Sequence, residues 1–205
     1  VLHDHPHLEE HSGRPTYISW ILPGAMAGIS AYLLSLAPTW LVWIGGLALL
    51  GIAISLAISA EYTAVSPDDP GYPLARLALN VLAYLLVFTL FAIIYHTRTR
   101  SLVTATLTLL AAALLALDLL SVADVPLRRV FLFAGIVGLV IGESTWALNY
   151  WQISAWDGGL FLLLIFYITI NVAHQYLLER LRVSTLVEFA VVAIIVLTII
   201  LLSAP

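Results

Sequence analysis

A carboxylate inside an apolar run is the first group in this sequence with chemical potential. Glu143 sits in the stretch 134–151, A-G-I-V-G-L-V-I-G-E-S-T-W-A-L-N-Y-W, which is otherwise apolar enough to cross a bilayer. At 1.5 Å per residue it lies about 10 Å in from the end of its helix. An isolated charge in a membrane costs about 2.5–3.5 kcal/mol on the insertion scale, so this group must be neutral, paired or facing water. Two readings follow: a proton or cation site, or a neutral acid hydrogen-bonded between helices. Trp146 and Tyr150 follow at i+3 and i+7, on the same helical face. Small residues Ala134, Gly138 and Gly142 recur every four positions, with Trp146 continuing the stripe, and such a stripe permits close approach of another helix.

A second constellation lies nearer the C-terminus. His174 and Glu188 stand seven residues on either side of Leu181, the middle of a short turn (181 − 174 = 188 − 181 = 7). Antiparallel helices would hold them at one depth, as a proton-relaying pair or as a helix–helix clamp. Asn171 and Gln175 add polar groups one turn away. Tyr167 falls at a depth similar to that of Glu143, where its hydroxyl would donate to the carboxylate.

The third is the start of the chain, V-L-H-D-H-P-H-L-E-E-H-S-G-R-P. His3, His5, His7 and His11, with Asp4, Glu9 and Glu10, have ligand chemistry for zinc, nickel or copper. Their spacing fits no closed site, so a solvated tail with incidental affinity competes with that reading. The two other histidines, His96 and His174, fall near opposite faces and cannot clamp one haem. No H-E-x-x-H is present. Gly142-Glu143-Ser144-Thr145 lacks the second glycine of a serine nucleophile turn. No catalytic motif is found, and no motif implies a cofactor.

The elements that position these residues follow from composition. The 205 residues are 62% hydrophobic and only 10% charged, against about 25% charged in a soluble domain. Mean hydropathy is +1.05. A net charge of −4 without basic clusters argues against nucleic-acid binding. Cysteine is absent, which removes disulfides and thiolate chemistry. Lysine is absent too, which removes a retinal Schiff base. The start of the sequence does not read as a cleavable signal peptide.

About 20 apolar residues span a bilayer. That ruler predicts helices over 17–36, 40–60, 74–95, 101–121, 127–150, 160–179 and 184–202. Ala37-Pro38-Thr39 separates the first two, where a single long or broken segment is the alternative. The segment 61–73, with Pro67, Pro70 and Pro73, cannot be continuous helix. Pro126 suits the first turn of helix five, and Gly158-Gly159 reads as the end of a loop at 151–159. The fold expected is all-α: seven transmembrane helices in one bundle over 17–205, behind a polar histidine-rich tail over 1–16.

The run G-E-S-T-W-A-L-N-Y-W, the Gly-Gly helix start after it and the Arg-x-Arg turn before helix seven resemble an uncharacterised family of small multi-pass bacterial membrane proteins. The resemblance covers helices five to seven. It implies no activity and no catalytic residue, but it implies that Glu143 and Trp146 act together. The role expected is a non-catalytic accessory or scaffold subunit of a larger membrane protein complex. The alternative is a small proton- or cation-coupled transporter using Glu143 and the His174–Glu188 pair. Expected partners are membrane lipids and other transmembrane subunits or copies of the chain.

Seven crossings put Arg14, Arg76, Arg128, Arg129, Arg180 and Arg182 on one side, and only Arg98 and Arg100 on the other. The arginine-rich side is cytoplasmic by the positive-inside rule. In a bacterial plasma membrane a cytoplasm-dependent reporter should therefore work at the N-terminus and be silent after Pro205. The opposite pattern, or activity at both ends, contradicts the seven-span orientation.

Overall fold

A computed structural model describes residues 18–64, 70–97, 101–121, 125–151, 154–180 and 183–203. The histidine-rich tail, with His3, His5, His7 and His11, lies outside the described residues, as do Arg98, Arg100 and Arg182. Seven α-helices are present among the described residues, and no strand. A 3-10 turn, Ile18–Trp20, leads into α1 (Ile21–Ser35). The others are α2 (Trp40–Thr63), α3 (Tyr72–Thr97), α4 (Ser101–Leu120), α5 (Leu127–Leu148), α6 (Ala155–Leu177) and α7 (Val183–Ser203).

The break between α1 and α2 is real. Ala37 precedes Pro38, a position biased away from helix, and Thr39 Oγ1 then accepts from Val42 N at 3.4 Å to start α2. Helix α3 begins at Tyr72, because Pro73 in a first turn forfeits no helical hydrogen bond. Pro126 sits one residue earlier than expected, at the N-cap of α5. Helix α6 starts five residues before the expected position. Ser154 Oγ accepts from Asp157 N at 3.1 Å and donates to Asp157 Oδ2 at 2.7 Å. This aspartate version of a capping box nucleates the helix ahead of the glycine pair. The far end of α6 closes with Glu179 in the left-handed region (φ 54) and Arg180 N bonded to Gln175 O at 3.0 Å.

Five helices, α2 to α6, contain stretches long and apolar enough to cross a membrane. Helix α1 has 15 residues, about 22 Å, and is shorter than the roughly 30 Å hydrocarbon layer. In α7 the corresponding apolar stretch is Val187–Ile199.

The chain divides into two compact units, Val1–Leu86 and Val87–Pro205. In the first, α1 packs on α2, and Gly46 makes room for Leu34, whose Cδ2 would lie 2.7 Å from an added Cβ. An apolar groove of about 510 Å³ runs between these helices past Met26, Leu34 and Leu50. In the second unit α4 and α5 form the most extensive helix pair, α6 packs on both, and α7 packs on α6. Phe91 meets Phe166 edge-on at 6.1 Å in the core, where both are fully buried.

The α4–α5 contact follows from the small-residue stripe. A Cβ on Gly138 would lie 2.8 Å from Leu109 O and 2.8 Å from Ala113 Cβ. One on Gly142 would lie 3.0 Å from Leu109 Cβ and 3.3 Å from Ala105 O. The helices touch backbone to side chain, a closeness that only absent side chains allow. Thr145, not Trp146, continues the stripe: Thr145 is fully buried, whereas Trp146 is 54% exposed.

Overpacking of this contact is testable. Gly138→Leu should destabilise the protein by about 1–3 kcal/mol or more. Gly135→Leu, three residues away where a Cβ meets nothing within 4 Å, should leave the melting temperature nearly unchanged. Equal effects of the two substitutions would show that α4 does not lie on the glycine face.

Candidate functional site

The polar groups of the second unit fall into an inner set that joins helices and an outer set that faces away from them. Within the inner set, Thr108 on α4 donates to Thr145 Oγ1 on α5 at 2.9 Å, and Thr145 donates to Ile141 O at 2.8 Å. Thr108 Oγ1 also lies 3.0 Å from Ala105 O and 3.1 Å from Thr104 O, which are alternative acceptors for its single proton. Both threonines are fully buried. One such interhelical bond is worth only about 0.6 kcal/mol in a membrane. It therefore fixes the register of a pair that the glycines bring together.

Tyr95 does the same for the end of α5. Its hydroxyl lies 3.0 Å from Leu148 O and 3.1 Å from Trp151 O, satisfying carbonyls that a helix terminus leaves without intrahelical partners. Its ring packs on Gly158, where an added Cβ would come within 2.8 Å of ring carbons, and Gly159 faces Ala92 at 3.1 Å. The glycine pair is thus a contact surface for α3 inside the first turns of α6, not a helix breaker. Nothing in the sequence around Tyr95 signals this role. The Ser154-x-x-Asp157 spacing is the signal that could have placed the start of α6 at 155, and the loop expected over 151–159 passed it over.

The outer set holds two of the carboxylates singled out in the sequence, Glu143 and Glu188. Glu143 is exposed, five residues before the end of α5 and off its buried face. Trp146 (54% exposed) and Tyr150 (76%) follow on the same side, with ring centroids 6.0 Å apart and planes at 77°. Trp151 and Trp156 are exposed at this end too, which forms an aromatic band of the kind found at membrane interfaces. Glu143 lies about one turn inside that band.

Tyr167 is half-buried and turned to α7, where its ring meets Phe189 edge-on at 5.9 Å. Asn171 Nδ2 donates back to Tyr167 O at 2.7 Å. His174 and Gln175 are half-buried in the last turns of α6, and Glu188 is exposed on α7. Asp118 is buried, whereas Arg128 and Arg129 at the start of α5 are exposed. Sequence reasoning passed over Glu61, a carboxylate only 3% exposed near the end of α2. Among the described residues no group of three or more His, Asp or Glu side chains converges as a metal site.

An all-helical chain with five helices of membrane-spanning length has the architecture of a multi-pass membrane protein. It belongs to the family described as "protein of unknown function (DUF5656)", which it matches over residues 1–203. The resemblance to an uncharacterised family thus extends beyond helices five to seven to nearly the whole chain. No curated protein and no solved structure matches it.

Removing the Tyr95 hydroxyl should take a donor from Trp151 O and leave Leu148 O with only the Trp151 N–H at 2.9 Å. Tyr95→Phe should cost about 1–3 kcal/mol, with amide hydrogen exchange rising first at the end of α5. An unchanged melting temperature would mean that water satisfies Leu148 O and Trp151 O.

Proposed function

We propose that the protein is a non-catalytic subunit, or scaffold, of a larger assembly in a bacterial plasma membrane, with its N-terminus in the cytoplasm. The observation that carries this reading is the outward direction of Glu143. A carboxylate within a membrane span needs a proton, a counter-charge or water. Had it pointed into the unit, an internal proton path would account for it. On the exposed side of α5, among Leu139, Trp146 and Tyr150, it is best accounted for by a neighbour outside the chain. The buried hydroxyls of Thr108, Thr145 and Tyr95 hold helices together rather than lining a cavity, which supports a non-catalytic role.

Purification from native membranes in mild detergent should yield the chain with other transmembrane chains. Glu143→Gln should leave the unfolding free energy of the isolated chain within about 0.5 kcal/mol of the parent, as for surface substitutions generally. A chain that always purifies alone, or that carries a proton flux in vesicles abolished by Glu143→Gln, would overturn the reading.

A further inference from the structure

We propose that Glu143, Trp146 and Tyr150 seat an arginine carried by a transmembrane helix of another protein, an inference that rests on the subunit reading above. Glu143 and Trp146 stand at i and i+3 on the exposed side of α5, Tyr150 lies two residues past its end with its ring 6.0 Å from that of Trp146, and apolar Ile136 and Leu139 continue the face. A guanidinium matches this set group by group. It is permanently charged, it bonds a carboxylate through two parallel N–H groups, and its plane stacks on aromatic faces. An indole exposed one turn from a carboxylate supplies the second of these surfaces. A lysine ammonium would meet the charge but not the plane.

The described residues of the second unit do not supply this arginine at the depth of Glu143. The chain has no lysine, and the arginines described in the second unit, Arg128, Arg129 and Arg180, stand in the first turn of α5 and just past the end of α6. Arg129 is 14 residues before Glu143 on the same helix (143 − 129 = 14), about 21 Å away along the axis. The described second unit of another copy therefore offers no mid-span cation to a Glu143 five residues inside its helix, and acyl chains offer no donor. Glu188 provides an internal contrast. It too is exposed, but Arg180 and Arg182 precede it in sequence, and the residues at i+3 and i+7 are Val191 and Ile195. The carboxylate with exposed aromatic rings at these spacings is Glu143.

The test places the photo-reactive residue p-benzoylphenylalanine at Leu139 in the full chain, in its native membranes. The expected product is a cross-link to a transmembrane segment of a different protein, with an arginine within two turns of the linked residue. Glu143→Gln should lower the cross-link yield about tenfold, as loss of a charge-assisted pair predicts, and Trp146→Leu should lower it further. Glu143→Arg should abolish the cross-link, and exchanging the partner's arginine for glutamate should restore it. A linked segment without arginine, adducts with lipid alone or a link to a second copy would each overturn the proposal. So would a yield that falls with Arg98→Gln or Arg100→Gln, or a charge exchange that restores nothing. If other chains co-purify but cross-link only from α2, the subunit reading stands and this seat does not. If no other chain co-purifies, the subunit reading itself fails.

Discussion

The second unit depends on how closely α4 and α5 approach. Lipid tails are as apolar as leucine, so burying leucine against leucine brings little net attraction between membrane helices. Close packing and a few interhelical hydrogen bonds must supply it instead. Gly138 and Gly142 provide the packing by admitting Leu109 and Ala113 to the surface of α5. The Thr108–Thr145 bond then selects one register among those the glycines would allow. Helix α6 lies on this pair, and α7 lies on α6.

The same solvent explains the division between inner and outer polar groups. Inside, hydroxyls serve carbonyls or one another: Thr145 with Ile141, Tyr95 with Leu148 and Trp151, Ser144 with Val140. None of these groups carries a full charge, so each can be satisfied with one or two bonds. A buried carboxylate needs more, as at Asp157, whose backbone N–H and Oδ2 both bond the Ser154 hydroxyl. Glu143 stands outside, where the unit offers it a place on the surface beside aromatic rings.

Much of the fold was legible in the sequence, because apolar length is a strong signal. Five of the seven helices start within two residues of the expected positions, and the Ala37-Pro38-Thr39 break is where Pro38 put it. The exceptions are α1, which starts four residues later than expected, and α6, which starts five residues earlier. Two adjacent glycines looked like a breaker, but the Ser154–Asp157 cap acts upstream of them and Tyr95 fills the space they leave. The shortness of α1 was also hidden, since hydropathy does not distinguish the 3-10 turn at 18–20 from the helix that follows. For the site, sequence spacing placed Glu143, Trp146 and Tyr150 on one face. Whether that face turned inward was not legible, because α5 is apolar on both sides and its direction is set by glycine packing. Tyr95 escaped notice for a related reason: its acceptors are backbone carbonyls, which leave no trace in residue identity.

The bond from Tyr95 to the end of α5 spans 53 residues of sequence, and that separation has a consequence for biogenesis. Helices α4 and α5 are neighbours in sequence and can pair as a hairpin soon after they are made. Tyr95 belongs to the preceding helix but finds its acceptors only when the end of α5 is made, and the Gly158-Gly159 surface it packs on only when α6 arrives. At about 5–20 residues per second, the ribosome takes roughly 3–10 seconds to cover that interval. Through it the phenol of α3 has neither its carbonyls nor its glycine surface. The hairpin of α4 and α5 is then the template already in place, and the arrival of α6 closes α3 onto it.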